Sequence, residues 1–151
     1  MSIVIEESDV SAISIALELE RAVISHTLND DERIYVTEDD WYPFWINLHK
    51  KAGLILFTTY TYFKKAATTA QRMEVCNELN KRSYMLTAYF LDHRLCIDYA
   101  LSYRDGLLRE TLIRSCRLYV KNIGNGLGEI DPDCSLVLRP GQIEPNDEDT
   151  N

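Results

Sequence analysis

The stretch "CNELNKRSYMLTAYFLDHRLCIDYALSY" (residues 76–103) decides the fold. Its first eight residues put the Cys76 thiol, the amides of Asn77 and Asn80 and the Glu78 acid within two helical turns, a grouping open to three readings: a catalytic apparatus, a metal site or the end of a helix. The residues before it favour the last. Ala67, Ala70, Met73, Cys76 and Leu79 recur as one stripe at helical spacing, and Lys81 and Arg82 complement the negative end of a helix dipole. Asn80 to Ser83 then close the helix, with asparagine suited to a left-handed cap. Beyond it the period falls to two. "YMLTAYFLD" and "RLCIDYALSY" read as strands about an Asp92-His93 turn, the second with Leu95, Ile97, Tyr99, Leu101 and Tyr103 on one face and Arg94, Cys96, Asp98, Ala100 and Ser102 on the other.

Working towards the N-terminus, "LILFTTYTYF" (54–63) and "YPFWINLH" (42–49) form a hairpin about "KKAG", with Pro43 marking the start or an edge of its strand. A turn of three or four residues fits equally, and one residue of slip exchanges the faces, so the register at 49–54 and the side taken by Trp45 stay open. "RIYVT" (33–37) is a short strand, and His26 to Asp31 reads as a loop. Val10, Ile13, Leu17, Leu19, Ala22 and Val23 mark a first helix at about 9–25, with Ser8 and Asp9 as capping groups. Towards the C-terminus, Leu108, Leu112, Cys116, Tyr119 and Val120 mark a last helix, with Asp105 as its cap. Its signal stops after Asn122: "GNGLGEIDPD" is loop-forming, "CSLVL" (134–138) makes at most one short added strand, and "RPGQIEPNDEDTN" (139–151) reads as a mobile acidic tail.

The expected architecture is α+β, an antiparallel sheet of about five strands with three helices in the order α-β-β-β-α-β-β-α. Residues 1–121 are the domain and 122–151 a loop-rich acidic extension. The 151 residues suffice for one self-supporting core, and 46% apolar with 26% charged residues is an ordinary globular composition. The formal charge of −8 is concentrated in residues 122–151, where seven acids face Arg139 alone, and it argues against nucleic acid as a partner. No apolar run is long enough to span a membrane and the N-terminus lacks a secretory pattern, so the expected location is the cytoplasm. Cys76, Cys96, Cys116 and Cys134 are widely separated, as reduced structural thiols are.

Each chemical motif has a plainer reading that fits better. Cys76, Asn77, Asn80 and His93 contain the residue types of a nucleophilic site, yet Cys76 lies on the apolar stripe, where a thiol behaves as a small hydrophobe. His93 and Cys96 point to opposite faces of a strand and cannot clamp one metal ion. His26 and His49 lie in or beside loops, Asp39 and Asp40 in an acidic turn, and "GNGLG" (124–128) follows a helix where a phosphate cradle precedes one. No catalytic residue, metal or cofactor is therefore expected. Nine tyrosines and two tryptophans are more informative: most belong to the core by default, but such residues are enriched at recognition surfaces. Trp45, Tyr60, Tyr62, Met73, Asn77 and Asn80 are the candidate partner-binding residues, on the sheet and the second helix. The competing expectation is a small-molecule binder or enzyme with a pocket between sheet and helices, using His93 or Tyr99.

"MEVCNELNKRSYMLTAYFLDHRLCIDYALSYRDGLLRETL" (73–112) resembles the core of the YbjN family, called "putative bacterial sensory transduction regulators". Asn77, Asn80, the Asp92-His93 turn and Gly106 carry the likeness, over about residues 33–120, with a single Gly106 where a glycine pair is expected. The resemblance implies a fold similar to type III secretion chaperones, a homodimer, turn-making roles for Asn77 and Asn80 and no catalytic residue to carry over. The expected function is a non-enzymatic regulatory or chaperone-like interaction module.

Overall fold

The computed structural model describes residues 1–144. Among them the order is β1 (Val4–Ile5), a 3-10 turn (Glu7–Asp9), α1 (Ala12–Arg21), β2 (His26–Leu28), β3 (Ile34–Val36), β4 (Phe44–His49), β5 (Leu54–Tyr62), α2 (Thr69–Arg82), β6 (Thr87–Leu91), β7 (Arg94–Ser102), β8 (Leu107–Leu108) and α3 (Arg109–Ile130). The class is the expected α+β. The main sheet is antiparallel with six strands in the order β2-β3-β4-β5-β7-β6, and β1 pairs with β8 apart from it. The extra main-sheet strand is β2, in the segment expected to be loop. It is recognisable only through its partner, because Thr27 and Leu28 are exposed and supply no apolar alternation.

His49 pairs with Leu54, which settles the hairpin as a four-residue turn. Phe44 and Ile46 then face inwards with Ile55, Phe57 and Thr59, and Trp45 faces out. Tyr119 of α3 fills the centre of the inner face, edge-on to Phe44 (5.1 Å) and Phe57 (5.5 Å). Its hydroxyl donates to the Ile97 carbonyl (2.6 Å) and lies 2.8 Å from Thr59 Oγ1, so no polar group of that ring is left unpaired in the core. Burial pushes the phenol far above its ordinary value, which keeps it a neutral donor.

The helices differ from expectation in phase and length. In α1 the buried apolar residues are Ala12, Ile15, Ala16 and Leu19, one face at i, i+3, i+4, i+7, while Ile13 and Leu17, and Val23 just beyond the helix, are exposed. Ser11 caps it through a box with Ser14, in place of Ser8 or Asp9. In α2, Val75, Cys76 and Leu79 are buried and Met73 is 52% exposed. Repeated steps of three lag a 3.6-residue turn, so the expected stripe does not hold one face: within α2, Ala70 and Met73 are exposed and only its last members, Cys76 and Leu79, reach the core. Thr68 and Gln71 cap α2, and it ends at Ser83 in extended backbone, with no left-handed asparagine.

The largest correction is α3. It does not stop at Asn122 but runs to Ile130, so the boundary expected between 121 and 122 falls inside a helix. Ile123 and Leu127 continue the buried stripe, and Gly126 lets α3 approach α2 closely: a Cβ there would stand 2.8 Å from Leu79 Cδ2. Packing outweighs the roughly 1 kcal/mol by which each glycine disfavours a helix. Asp105 is not its cap; it occupies a left-handed turn (φ 64°), its N–H donating to Glu7, and Leu108 precedes the first turn without a side-chain cap.

The chain then returns to the sheet. The carboxylate of Asp131, 2% exposed, accepts the N–H groups of Ser135, Leu136 and Val137. Val137 forms an antiparallel bridge with Phe63, and Leu138 N–H donates to the Tyr62 carbonyl. "CSLVL" is thus a bridge rather than a strand. The expected mobile tail is held as far as Glu144, whose carboxylate accepts the Lys65 N–H; residues 145–151 lie outside the described residues.

Candidate interaction surface

Strand alternation gives the sheet two aromatic faces, and the buried side chains of all three helices complete only one of them. The outer face is made by Tyr35 of β3, Trp45 and Asn47 of β4, Leu56, Thr58, Tyr60 and Tyr62 of β5, Arg94, Cys96, Asp98 and Ala100 of β7, and Thr87, Tyr89 and Leu91 of β6. The pairing register sets these in rows. Tyr60 and Tyr89 flank Cys96; Tyr62 and Leu91 flank Arg94; Thr58 and Thr87 flank Asp98.

Aromatic residues here keep their place through cations. Trp45 stacks on Tyr35 (4.6 Å), and the Arg33 guanidinium lies 4.3 Å from the Trp45 ring while its Nε donates to Asn47 Oδ1 (2.8 Å). Arg94 lies 4.7 Å over Tyr60. Cys96 is fully covered beneath Tyr60 and Tyr89, and desolvation raises its thiol. Burial also pushes the Tyr89 phenol up to about 12, with Asp98 adding to it. The Asp98 carboxyl is raised, chiefly by desolvation against the hydroxyls of Thr58 and Tyr89. Among the described residues its Oδ1 is buried without a hydrogen-bond partner.

Three of the candidate residues share this face: Trp45 is half-buried, Tyr60 is 40% exposed and Tyr62 52%. Met73 and Asn77 lie on the solvent side of α2. Asn80 is engaged elsewhere. Its amide accepts the Ala88 N–H (2.7 Å) and donates to the Ala88 carbonyl (2.9 Å), reproducing with one side chain the pair of bonds a neighbouring strand would make at the outer edge of β6. Arg72 reinforces it, donating to the Asp92 carbonyl and lying 5.7 Å from the Phe90 ring. Asn80 therefore holds helix to strand from within α2 and makes no turn of its own.

The catalytic alternatives are scattered. Cys76 is buried on α2, its thiol pushed up to about 11 by desolvation, the opposite of an activated nucleophile. His93 is exposed in the β6–β7 turn beside Asp92, His49 is exposed at the end of β4, and His26 Nδ1 lies 2.7 Å from the Ile24 carbonyl. Tyr99 packs inwards on Phe57 (5.6 Å). No group of three or more His, Cys, Asp or Glu among the described residues has the geometry to hold a metal ion. Sequence reasoning missed Asp98 and Arg94 as members of the surface, although the alternation "RLCIDYALS" sets both on the non-core face.

The family profile described as "YbjN: Putative bacterial sensory transduction regulator" matches residues 12–124. The chain belongs to the YbjN family. Among solved structures it is similar to the one titled "Crystal structure of YbjN, a putative transcription regulator from E. coli", at 17% identity with a TM-score of 0.71, over 86% of this chain and 96% of that one. At that identity the likeness shows the YbjN fold. No curated protein matches the chain. The YbjN match begins at the first residue of α1 and ends within α3, so it takes in the whole main sheet and leaves out β1 and the returning segment after Asp131. No helix among the described residues is long and apolar enough to cross a membrane.

Proposed function

We propose that this YbjN-family chain is a non-enzymatic interaction module of regulatory or chaperone-like type, working in the cytoplasm as a homodimer. The observation that carries the reading is the uncovered sheet face, where Trp45, Tyr60, Tyr62 and Tyr89 present amphipathic rings beside arginines, the composition typical of protein-contact surfaces. Membership of a family of regulators supports it. So does the scatter of the nucleophile, imidazole and carboxylate candidates. The free cysteines suit a reducing compartment. Trp45, Tyr60 and Tyr62 are the proposed contacts on the sheet, Met73 and Asn77 those on α2, and Asn80 positions α2 against β6. The competing reading, a ligand pocket between sheet and helices, has less support because Phe44, Phe57 and Tyr119 fill that space.

The test compares the protein with Tyr60→Ser/Tyr62→Ser. Light scattering at micromolar concentration is expected to give the mass of two chains for the first and a reduced mass for the second, with circular dichroism showing both folded. A strict monomer refutes the dimer. A metabolite that raises the melting temperature and is turned over refutes the non-enzymatic assignment.

A further inference from the structure

We infer that the occupant of the outer sheet face is a second copy of this chain, stacked so that Arg94 of each protomer meets Asp98 of the other across β7; this rests on the homodimer proposed above and assigns it a face and a symmetry. Arg94 and Asp98 lie four residues apart on the same side of one strand, about 13 Å from each other at the rise of a β-strand. Midway between them is Cys96, covered by Tyr60 on one side and Tyr89 on the other. The pattern along β7 is cation, aromatic-covered centre, anion, and such a pattern is complementary to itself when reversed.

Symmetry limits how it can be reversed. Two identical faces turned towards each other are related by a two-fold axis lying in the interface plane. With the axis along β7, Arg94 opposes Arg94 and Asp98 opposes Asp98. With the axis across the strands at Cys96, each Arg94 opposes an Asp98, Tyr60 meets Tyr60 and Tyr89 meets Tyr89. Charge selects the second arrangement, which is also an aligned packing of two sheets, about 10 Å apart, that sandwiches adopt.

Both charged groups are prepared for such a contact. Asp98 is only half-buried beside Thr58 and Tyr89, and with its covered Oδ1 lacking a donor among the described residues, the carboxylate keeps acceptor capacity for a cation reaching its open side. Arg94 lies flat on Tyr60, an arrangement that occupies the face of the guanidinium and leaves N–H groups at its rim to donate. The apolar surface to be covered sits around the same centre: Tyr60, Tyr62, Tyr89 and Leu91 are all exposed. The β6 edge offers a partner strand less, since Asn80 and Arg72 already occupy it.

The test is a pair of charge reversals measured by light scattering and sedimentation at micromolar concentration. Arg94→Glu gives a chain with two acids on β7, and Asp98→Lys one with two bases. Each alone is expected to weaken self-association about 100-fold, because like charges then oppose across the axis. Mixed in equal amounts they are expected to form a heterodimer, and the double reversal Arg94→Glu/Asp98→Lys to restore a homodimer. Circular dichroism confirms that each variant is folded. Asp98→Asn is the milder variant should the lysine disturb the sheet, and it is expected to weaken the dimer without lowering the melting temperature of the monomer. A wild-type monomer overturns the dimer itself. A wild-type dimer whose mass none of these variants changes overturns only this face, and places the contact on another surface such as the exposed Ile13 and Leu17 of α1.

Discussion

The two faces of the sheet carry similar residues and hold them by different means. On the inner face Phe44, Phe57 and Tyr119 are fully buried and fixed by contact with one another, with the phenol closing its hydrogen bonds inside the core. On the outer face Trp45 and Tyr60 stay half in water, steadied by Arg33 and Arg94. Aromatic content therefore does not report burial. What separates the faces is the neighbour: a helix on one side, a guanidinium on the other.

The sharpest way to break this comparison is to truncate one ring on each face. Phe57→Ala is expected to cost about 3–5 kcal/mol in urea unfolding, through lost burial and the cavity left beside Tyr119. Measured at a dilution where the chain is monomeric, Tyr62→Ser should stay within about 0.5 kcal/mol, as exposed positions do. Equal losses would show that the outer face is covered within the monomer. Next in size is Asn80→Ala, at the border between the faces. It strips both partners from the Ala88 backbone, at about 1–2 kcal/mol, and bares the β6 edge, so turbidity at high concentration should rise with the loss. The helix layer that closes the inner face gives a smaller contrast. Gly126→Ala drives a methyl against the buried Leu79 and should lose about 1 kcal/mol net, whereas Gly124→Ala enters open space and should gain up to about 1 kcal/mol. If both variants gain, α3 and α2 are looser than the close approach at Gly126 requires.

The smallest effect concerns the N-terminal turn. The Asp105 N–H and the Arg104 guanidinium hold the Glu7 carboxyl below its ordinary range. A lowered value in the folded state contributes stability that is complete above the ordinary carboxylate range and is lost as pH falls through the lowered one. Glu7→Gln should flatten that acid limb slightly in thermal melts taken from pH 6 to pH 2. An unchanged slope would mean the contact is not formed in solution.

Most of the fold was legible because alternation is a local signal. β3 to β7 all follow from runs rich in β-branched and aromatic residues bounded by polar turns, and the helix-to-hairpin transition at Ser83 follows from the change of period. What escaped depends on packing partners rather than on local pattern. β2 is a strand only beside β3, and the second half of α3 is helical because Ile123 and Leu127 are buried, which outweighs three glycines. Of the surface, the alternation gave Tyr60 and Tyr62 a shared face, but Trp45 waited on a turn length that composition leaves open. Asn80 was singled out for the wrong reason: its amide is an edge cover, and only the placement of Ala88 reveals that.

The return of the chain after Asp131 orders events in time. The end of β5 meets Leu138 at a separation of 77 positions, through Thr61 Oγ1 donating to the Leu138 carbonyl. At translation speeds of about 5–20 residues per second, that edge of the growing chain waits roughly 4–15 s on the ribosome for its partner. Phe63, fully covered in the finished fold, is without its Val137 neighbour throughout that interval.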